Sequence, residues 1–362
     1  MTQLKSCVRT VVAALIMVLP LLSIPVAVAD PPAGAHITDI QHVNDRWDKV
    51  SVYSPAMDKV VVNDVFKAPK SGSPTFYLLP GIDGGDNLDP AANFAPGTKS
   101  WFGFTDLQGF FADKNVNVVS PLGGQFSWYS DWVNDRSKQY QTYMTQELPP
   151  LINAQYKTNG RNAVGGLSST GGTAVDYAIQ APGLYKAVGS YSGFLTPSSG
   201  AQNVALTLTG GGANADDMWG PQGGPLWVAH DPTVNVARLK GVAVYAAASG
   251  GGHGDVDKLP PGANNFTGDF IEGIVNDSTR QFADAAAAAG VPITYVVRPE
   301  GSHSWGPRIG DAGVLEHHHR PGARALARLD GTVSTSASNS EPSSMRCRPA
   351  LISVSAPRRW SS

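Results

Sequence analysis

Residues 162–172, Asn-Ala-Val-Gly-Gly-Leu-Ser-Ser-Thr-Gly-Gly, carry the strongest chemical pattern in the chain. An apolar run ends in Gly166-Leu167-Ser168 and a helix-forming stretch follows. In that context a tight strand-to-helix turn exposes a serine Oγ as a nucleophile. Small neighbours are needed because such a turn is strained and closely packed. A last glycine is expected two residues after the serine, but Thr170 stands there and Gly171 comes one later. A shifted reading makes Ser169 the nucleophile, with Leu167 in place of the first glycine. Alone, the segment reads equally well as an ordinary glycine-rich turn. A second pattern, Phe76-Tyr77-Leu78-Leu79-Pro80-Gly81-Ile82-Asp83-Gly84-Gly85, runs from an apolar strand into a glycine-rich loop. Backbone N–H groups of such a loop can hold an oxyanion together with the N–H of the residue after the nucleophile. Ile82 and Ser169 are the donors at those places. The third pattern is Gly301-Ser302-His303-Ser304-Trp305, just after the apolar run 293–297. Of the five histidines in residues 30–305 (His36, His42, His230, His253 and His303), position favours His303 as a base.

These residues need elements to position them. Short apolar runs bounded by Gly, Pro or polar residues predict strands at 49–53, 59–66, 75–79, 116–119, 162–167, 187–191, 241–247 and 293–298. Helices are predicted at 106–114, 139–156, 170–180 and 279–289. The alternation implies a mostly parallel central sheet flanked by helices, an α/β architecture, and with the serine turn it implies the α/β-hydrolase fold. That fold orders its triad Ser, then Asp or Glu, then His. An acid must then lie between Ser168 and His303. Asp255, Asp257, Asp269, Glu272, Asp277 and Asp284 all qualify, and spacing does not choose among them. His253-Gly254-Asp255-Val256-Asp257 reads as a solvated loop rather than a metal site.

Composition bounds the function classes. The 362 residues are 42% apolar and 15% charged, as suits a protein with a sizeable core. The net charge of −2 supplies no basic field for nucleic acid. Lys5 and Arg9, an apolar run broken by Pro20 and Pro25, and Ala27-Val28-Ala29 read as a signal peptide over residues 1–29, so that the mature chain is exported. Residues 30–305 form one catalytic domain. Residues 306–362 hold eight Arg and no Lys, are rich in Ser, Ala and Pro, and read as a divergent, disordered tail. His317-His318-His319 in that tail is incidental. Cys7 and Cys347, one near each end, make neither a disulfide framework nor a zinc site.

Eight motifs occur in the order found in the antigen 85 mycolyltransferases, which this chain resembles over about residues 48–305. They are Tyr77-Leu78-Leu79, Gly123-Gly124-Gln125 with Tyr129-Ser130-Asp131-Trp132, Glu147-Leu148-Pro149, Gly166-Leu167-Ser168, Asp217-Met218-Trp219-Gly220-Pro221, Asp231-Pro232, Phe270-Ile271-Glu272-Gly273 and Gly301-Ser302-His303-Ser304-Trp305. The resemblance implies a secreted, cell-wall-associated acyltransferase of α/β-hydrolase fold, with Ser168 as nucleophile, Glu272 as acid and His303 as base. It implies no cofactor and no metal. The family loop Leu-Leu-Asp-Gly-Leu-Arg uses its Asp and Arg to contact trehalose. Here those places hold Pro80 and Asp83, so the sugar contacts do not carry over and one charge is reversed. The family's paired cysteines are absent from residues 133–139, and its final helix gives way to the divergent tail. Asp83 and Trp305 remain as substrate-facing candidates, Trp305 as an apolar or stacking surface.

Three readings follow. The favoured one is transfer of a long-chain acyl group from a glycolipid ester to a sugar or alcohol hydroxyl through an acyl-serine, with peripheral contact to envelope lipids. The second is a secreted esterase with water as acceptor. The third is a non-catalytic cell-wall or matrix-protein-binding relative, against which the joint retention of Ser168, Glu272 and His303 argues.

Overall fold

In the computed structural model, residues 32–85, 100–252, 257 and 266–303 are described. They build a nine-stranded sheet in the order β1-β2-β3-β5-β4-β6-β7-β8-β9. Its strands are β1 (His36–His42), β2 (Trp47–Ser54), β3 (Lys59–Phe66), β4 (Thr75–Leu79), β5 (Asn117–Pro121), β6 (Asn162–Leu167), β7 (Tyr185–Tyr191), β8 (Ala243–Ser249) and β9 (Ile293–Arg298). The β1, β2, β3 and β5 pairings are antiparallel, and all pairings from β5 through β4 to β9 are parallel. The mostly parallel sheet and its flanking helices are those expected from the sequence.

Burial explains which strands the sequence discloses. The central strands β4 and β5 are buried at every residue, so they read as continuous apolar or small-residue runs. In β2, buried residues alternate with half-buried ones, because one face packs inward and the other meets solvent. The edge strand β1, His-Ile-Thr-Asp-Ile-Gln-His, has no buried residue and no strong apolar pattern, and the sequence reading missed it.

Helices α1 (Trp101–Phe104) and α2 (Leu107–Phe110) cover one face, where Trp101, Leu107 and Phe111 pack on Phe76, Leu78 and Val118. On the other face lie α3 (Tyr140–Thr142), a π-helical turn (Tyr143–Glu147), α4 (Leu148–Tyr156) and α5 (Ser169–Gln180). The helix expected over 139–156 is therefore interrupted. Pro149 and Pro150 lack the N–H groups that the Thr145 and Gln146 carbonyls would use, and the turn before them widens so that Leu148 N–H reaches back to Tyr143 O. Helices α6 (Ala201–Gly210), α7 (Ala215–Trp219) and α8 (Pro225–Ala229) were not expected, and α9 (Phe266–Ala288) starts 13 residues before the predicted 279.

A third apolar cluster sits where chain segments leave the C-terminal ends of the strands. It joins Trp128 and Trp132 after β5 and Phe194 after β7 to Met218, Trp219, Trp227 and Val275, with Ile82 and Ile271 at its margin. It walls the end of the sheet from which Ser168 emerges. Among the described residues, no helix is long and apolar enough to cross a membrane. The expected leader, the tail and Trp305 lie outside the described residues.

Candidate active site

β6 ends at Leu167 and α5 begins at Ser169, so the whole turn is made at Ser168. Its φ of 56° and ψ of −123° are strained for a residue with a Cβ, a cost of about 1–3 kcal/mol. The surroundings hold it there. Ser168 N–H donates to Tyr191 O at 3.0 Å, and Gly171 N–H donates to Ser168 O at 3.1 Å. Gly172 is required because a Cβ there would overlap the Phe194 carbonyl oxygen. Thr170, at the place expected for glycine, is a fastener. Its Oγ1 donates to Pro80 O at 2.7 Å and accepts from Leu167 N–H at 3.1 Å, tying the turn to the loop after β4.

His303 joins the two other predicted residues. Its Nε2 lies 2.8 Å from Ser168 Oγ and its Nδ1 lies 2.7 Å from Glu272 Oε2. Glu272 is 1% exposed, and its other oxygen accepts from Ser249 N–H at 2.7 Å and from Ser192 Oγ at 2.8 Å. A carboxylate can only accept, so Nδ1 carries the proton and Nε2 is free to accept from the serine hydroxyl. Ser192 is itself held at a φ of 48°, with its N–H on Ala247 O at 2.7 Å. Arg298, at the end of β9, lies in the field of this site. Burial lowers its guanidinium pKa, and Tyr245 and Glu272 act in the opposite direction.

The structure separates Ser168 from Ser169, and Glu272 from Asp257, Asp277 and Asp284. Ser169 Oγ is buried with no hydrogen-bond partner among the described residues, whereas Ser168 Oγ faces His303. Glu272 is on His303; Asp277 and Asp284 face Arg280 on the exposed side of α9. At Asp257 the solvated-loop reading does not hold. The residue is only 4% exposed, and its carboxylate takes both the N–H and the Oγ of Ser302. His253 and Asp255 lie outside the described residues.

Ile82 and Ser169, the expected oxyanion donors, stand on the two segments that Thr170 ties together. The Ile82 carbonyl accepts from Phe126 N–H at 2.9 Å, which fixes the orientation of its loop. Gly84 permits that loop to press on the strand-end beside it: its φ is 67°, and a Cβ would overlap Gly123 O. Asp83 Oδ1 accepts from Gly85 N–H at 3.2 Å within the same loop. Among the described residues, no group of three or more His, Cys, Asp or Glu side chains is set to hold a metal ion. Sequence reasoning missed Ser192, the Ser249 N–H and the tie made by Thr170; the serines just after β7 and at the end of β8 were the available signal.

Comparison with known proteins gives the family and the fold. Residues 50–307 match the family model described as "Putative esterase". The chain is 33% identical over 271 residues to the diacylglycerol acyltransferase/mycolyltransferase Ag85A of Mycobacterium leprae, covering 71% of this chain and 77% of that one. It is 32% identical over 274 residues to the Ag85A of Mycobacterium tuberculosis strain H37Rv, covering 71% and 75%. Two solved structures share the fold. The crystal structure of Mycobacterium tuberculosis MPT51 (FbpC1) superposes with a TM-score of 0.61 at 24% identity, covering 79% of this chain and 99% of that one. An S-formylglutathione hydrolase from Agrobacterium tumefaciens superposes with a TM-score of 0.55 at 16% identity, covering 81% and 99%.

Proposed function

The chain belongs to the esterase family that includes the antigen 85 acyltransferases, and from that premise we propose that it is an exported serine acyltransferase moving a long-chain, mycolyl-type acyl group from a glycolipid ester such as trehalose monomycolate. The observation that carries the reading is the His303 ring, bonded at 2.8 Å to Ser168 and at 2.7 Å to Glu272. Ser168 Oγ attacks the acyl carbonyl while His303 Nε2 takes its proton. The N–H groups of Ile82 and Ser169 hold the oxygen as it becomes negative. Collapse expels the donor alcohol, which leaves with the proton from His303. An acceptor hydroxyl then attacks the acyl-serine, with His303 again as base. Glu272 keeps Nδ1 protonated and stabilises the imidazolium.

Acceptor choice departs from that of the trehalose-using family pattern. Pro80 offers no side-chain donor or acceptor, and its carbonyl already takes the Thr170 hydroxyl. Asp83 accepts from Gly85 N–H and cannot donate as an arginine does. Each hydrogen bond that a buried sugar hydroxyl fails to make costs about 1–3 kcal/mol. Trehalose is therefore a weak acceptor, and another sugar or a glycerolipid alcohol is preferred. The same observation favours a second reading, an esterase that passes the acyl group to water. Side-by-side transfer from one acyl donor to trehalose, arabinose, a glycerolipid and water tests both. Strong preference for trehalose would show that other residues rebuild the sugar site. Water as the dominant acceptor in the presence of every alcohol would select the esterase.

A further inference from the structure

We propose that Asp257 is a positioning residue that sets the working place of His303 through Ser302; the inference rests on the serine-acyl reading of the site. Ser168 and Glu272 are anchored to the sheet, through Tyr191 O on one side and through Ser192 and Ser249 on the other. The imidazole reaches them from the loop after β9. Three successive N–H groups of that loop are tied down. Gly301 N–H donates to Gly252 O at 3.0 Å and His303 N–H donates to Gly268 O at 3.1 Å. Between them, Ser302 N–H donates to the Asp257 carboxylate, at 3.0 Å to Oδ2 and 3.2 Å to Oδ1, and Ser302 Oγ donates to Oδ1 at 2.7 Å. The outer two ties are main chain to main chain. The middle one is a side chain, and it is the charge-assisted one of the three.

Burial makes this tie consequential. Asp257 is 4% exposed and Ser302 8% exposed, so water does not readily replace a broken bond. His303 must satisfy hydrogen bonds at both ring nitrogens at once, 2.7 Å on one side and 2.8 Å on the other. A shift of about 1 Å in the preceding residue breaks one of them, and displacements of that size typically cost about 100-fold in rate. Asp257 lies in the stretch where the triad acid was sought, yet its carboxylate is on the residue before the histidine. Its part is to place the base, leaving Glu272 to charge it.

The test compares the full chain with Asp257→Ala and Asp257→Asn. The readouts are the rate of Ser168 labelling by a fluorophosphonate, kcat and KM on a p-nitrophenyl ester, and thermal melting. Asp257→Ala should label about 10–100-fold more slowly and lose kcat in parallel, with KM within about threefold. Asp257→Asn keeps an acceptor for Ser302 N–H and should recover to within about threefold of the parent. In a His303→Ala background, Asp257→Ala should cost less than about twofold more, since its effect runs through the missing ring. If Asp257→Ala does not fold, Ser302→Ala replaces it, removing only the hydroxyl donor, and should slow labelling about three- to tenfold. A parent that does not label at Ser168 overturns the serine-acyl reading and this inference with it. A parent that labels while Asp257→Ala matches it, or loses activity through KM, or loses as much again without His303, overturns the inference alone.

Discussion

Glu272→Gln tests the least visible member of the site, and the structure supplies the magnitude. Glutamine has the same shape but one acceptor oxygen where glutamate has two. Glu272 meets Ser249 N–H and Ser192 Oγ with one oxygen and His303 Nδ1 with the other. With its oxygen kept toward Ser249, the glutamine NH2 faces His303, so Nδ1 must accept and the ring proton moves to Nε2. That tautomer cannot take the Ser168 proton. With the amide flipped, the NH2 confronts the Ser249 N–H, and a buried clash of two donors costs about 1–3 kcal/mol. At about 1.4 kcal/mol per decade, roughly a tenth to a hundredth of the molecules keep the productive tautomer. Those also lose the charge that stabilises the imidazolium. Together the two losses should lower kcat on the order of 10³–10⁴-fold. Stability should change by only about 1 kcal/mol, because the volume is unchanged and the Ser249 bond survives. The assay is steady-state hydrolysis of a p-nitrophenyl ester with a thermal melt on the same sample. Activity within tenfold of the parent, or a larger loss from Asp269→Asn or Asp277→Asn, would refute the assignment of the acid.

Other outcomes follow from the same geometry. Gly172→Ala should abolish activity and lower the melting temperature, because its Cβ has no space beside the Phe194 carbonyl; a melt and activity equal to the parent's would show that the serine turn is looser than described. Thr170→Val keeps the shape but removes the tie to Pro80 O, and should cost about 1–3 kcal/mol of stability in a denaturant titration, with a fall in kcat. Burial by itself raises the pKa of the Asp48 carboxyl, but hydrogen bonds from Lys67, His42 and Tyr156 outweigh it and hold the pKa below the ordinary 3.8. Its stabilisation is therefore full above about pH 4 and is lost as pH falls through the lowered value. The melting gap between parent and Asp48→Asn should narrow from pH 6 to pH 3; a gap that widens toward acid contradicts that sign.

How much of this was legible in the sequence depended on whether burial left an imprint. The strands over 59–66, 75–79, 162–167 and 293–298 have the bounds read from their apolar runs. Edge strand β1 has no buried face and left no such imprint. Helices α6 to α8 pack only one side against the Trp219 and Trp227 cluster, and their short lengths hide the 3.6-residue period. At the site, Ser168 and His303 were legible from the turns that carry them. The acid was not legible from spacing, and only the family resemblance pointed to Glu272, because choosing it over its neighbours depends on which face of α9 meets the histidine loop. That pairing spans 31 positions and is set by tertiary packing. Thr170 broke the expected glycine spacing for a physical reason: its hydroxyl does what a glycine cannot, fastening the turn to the neighbouring loop.

The measurement that bears most directly on the central claim is the mass of the intact protein, with peptide mapping, after brief reaction with an activated long-chain ester. A single acyl group should appear on Ser168, decay when an acceptor alcohol is added, and be absent from Ser168→Ala. An acyl group on Ser169, or no covalent species while product still forms, would contradict the account.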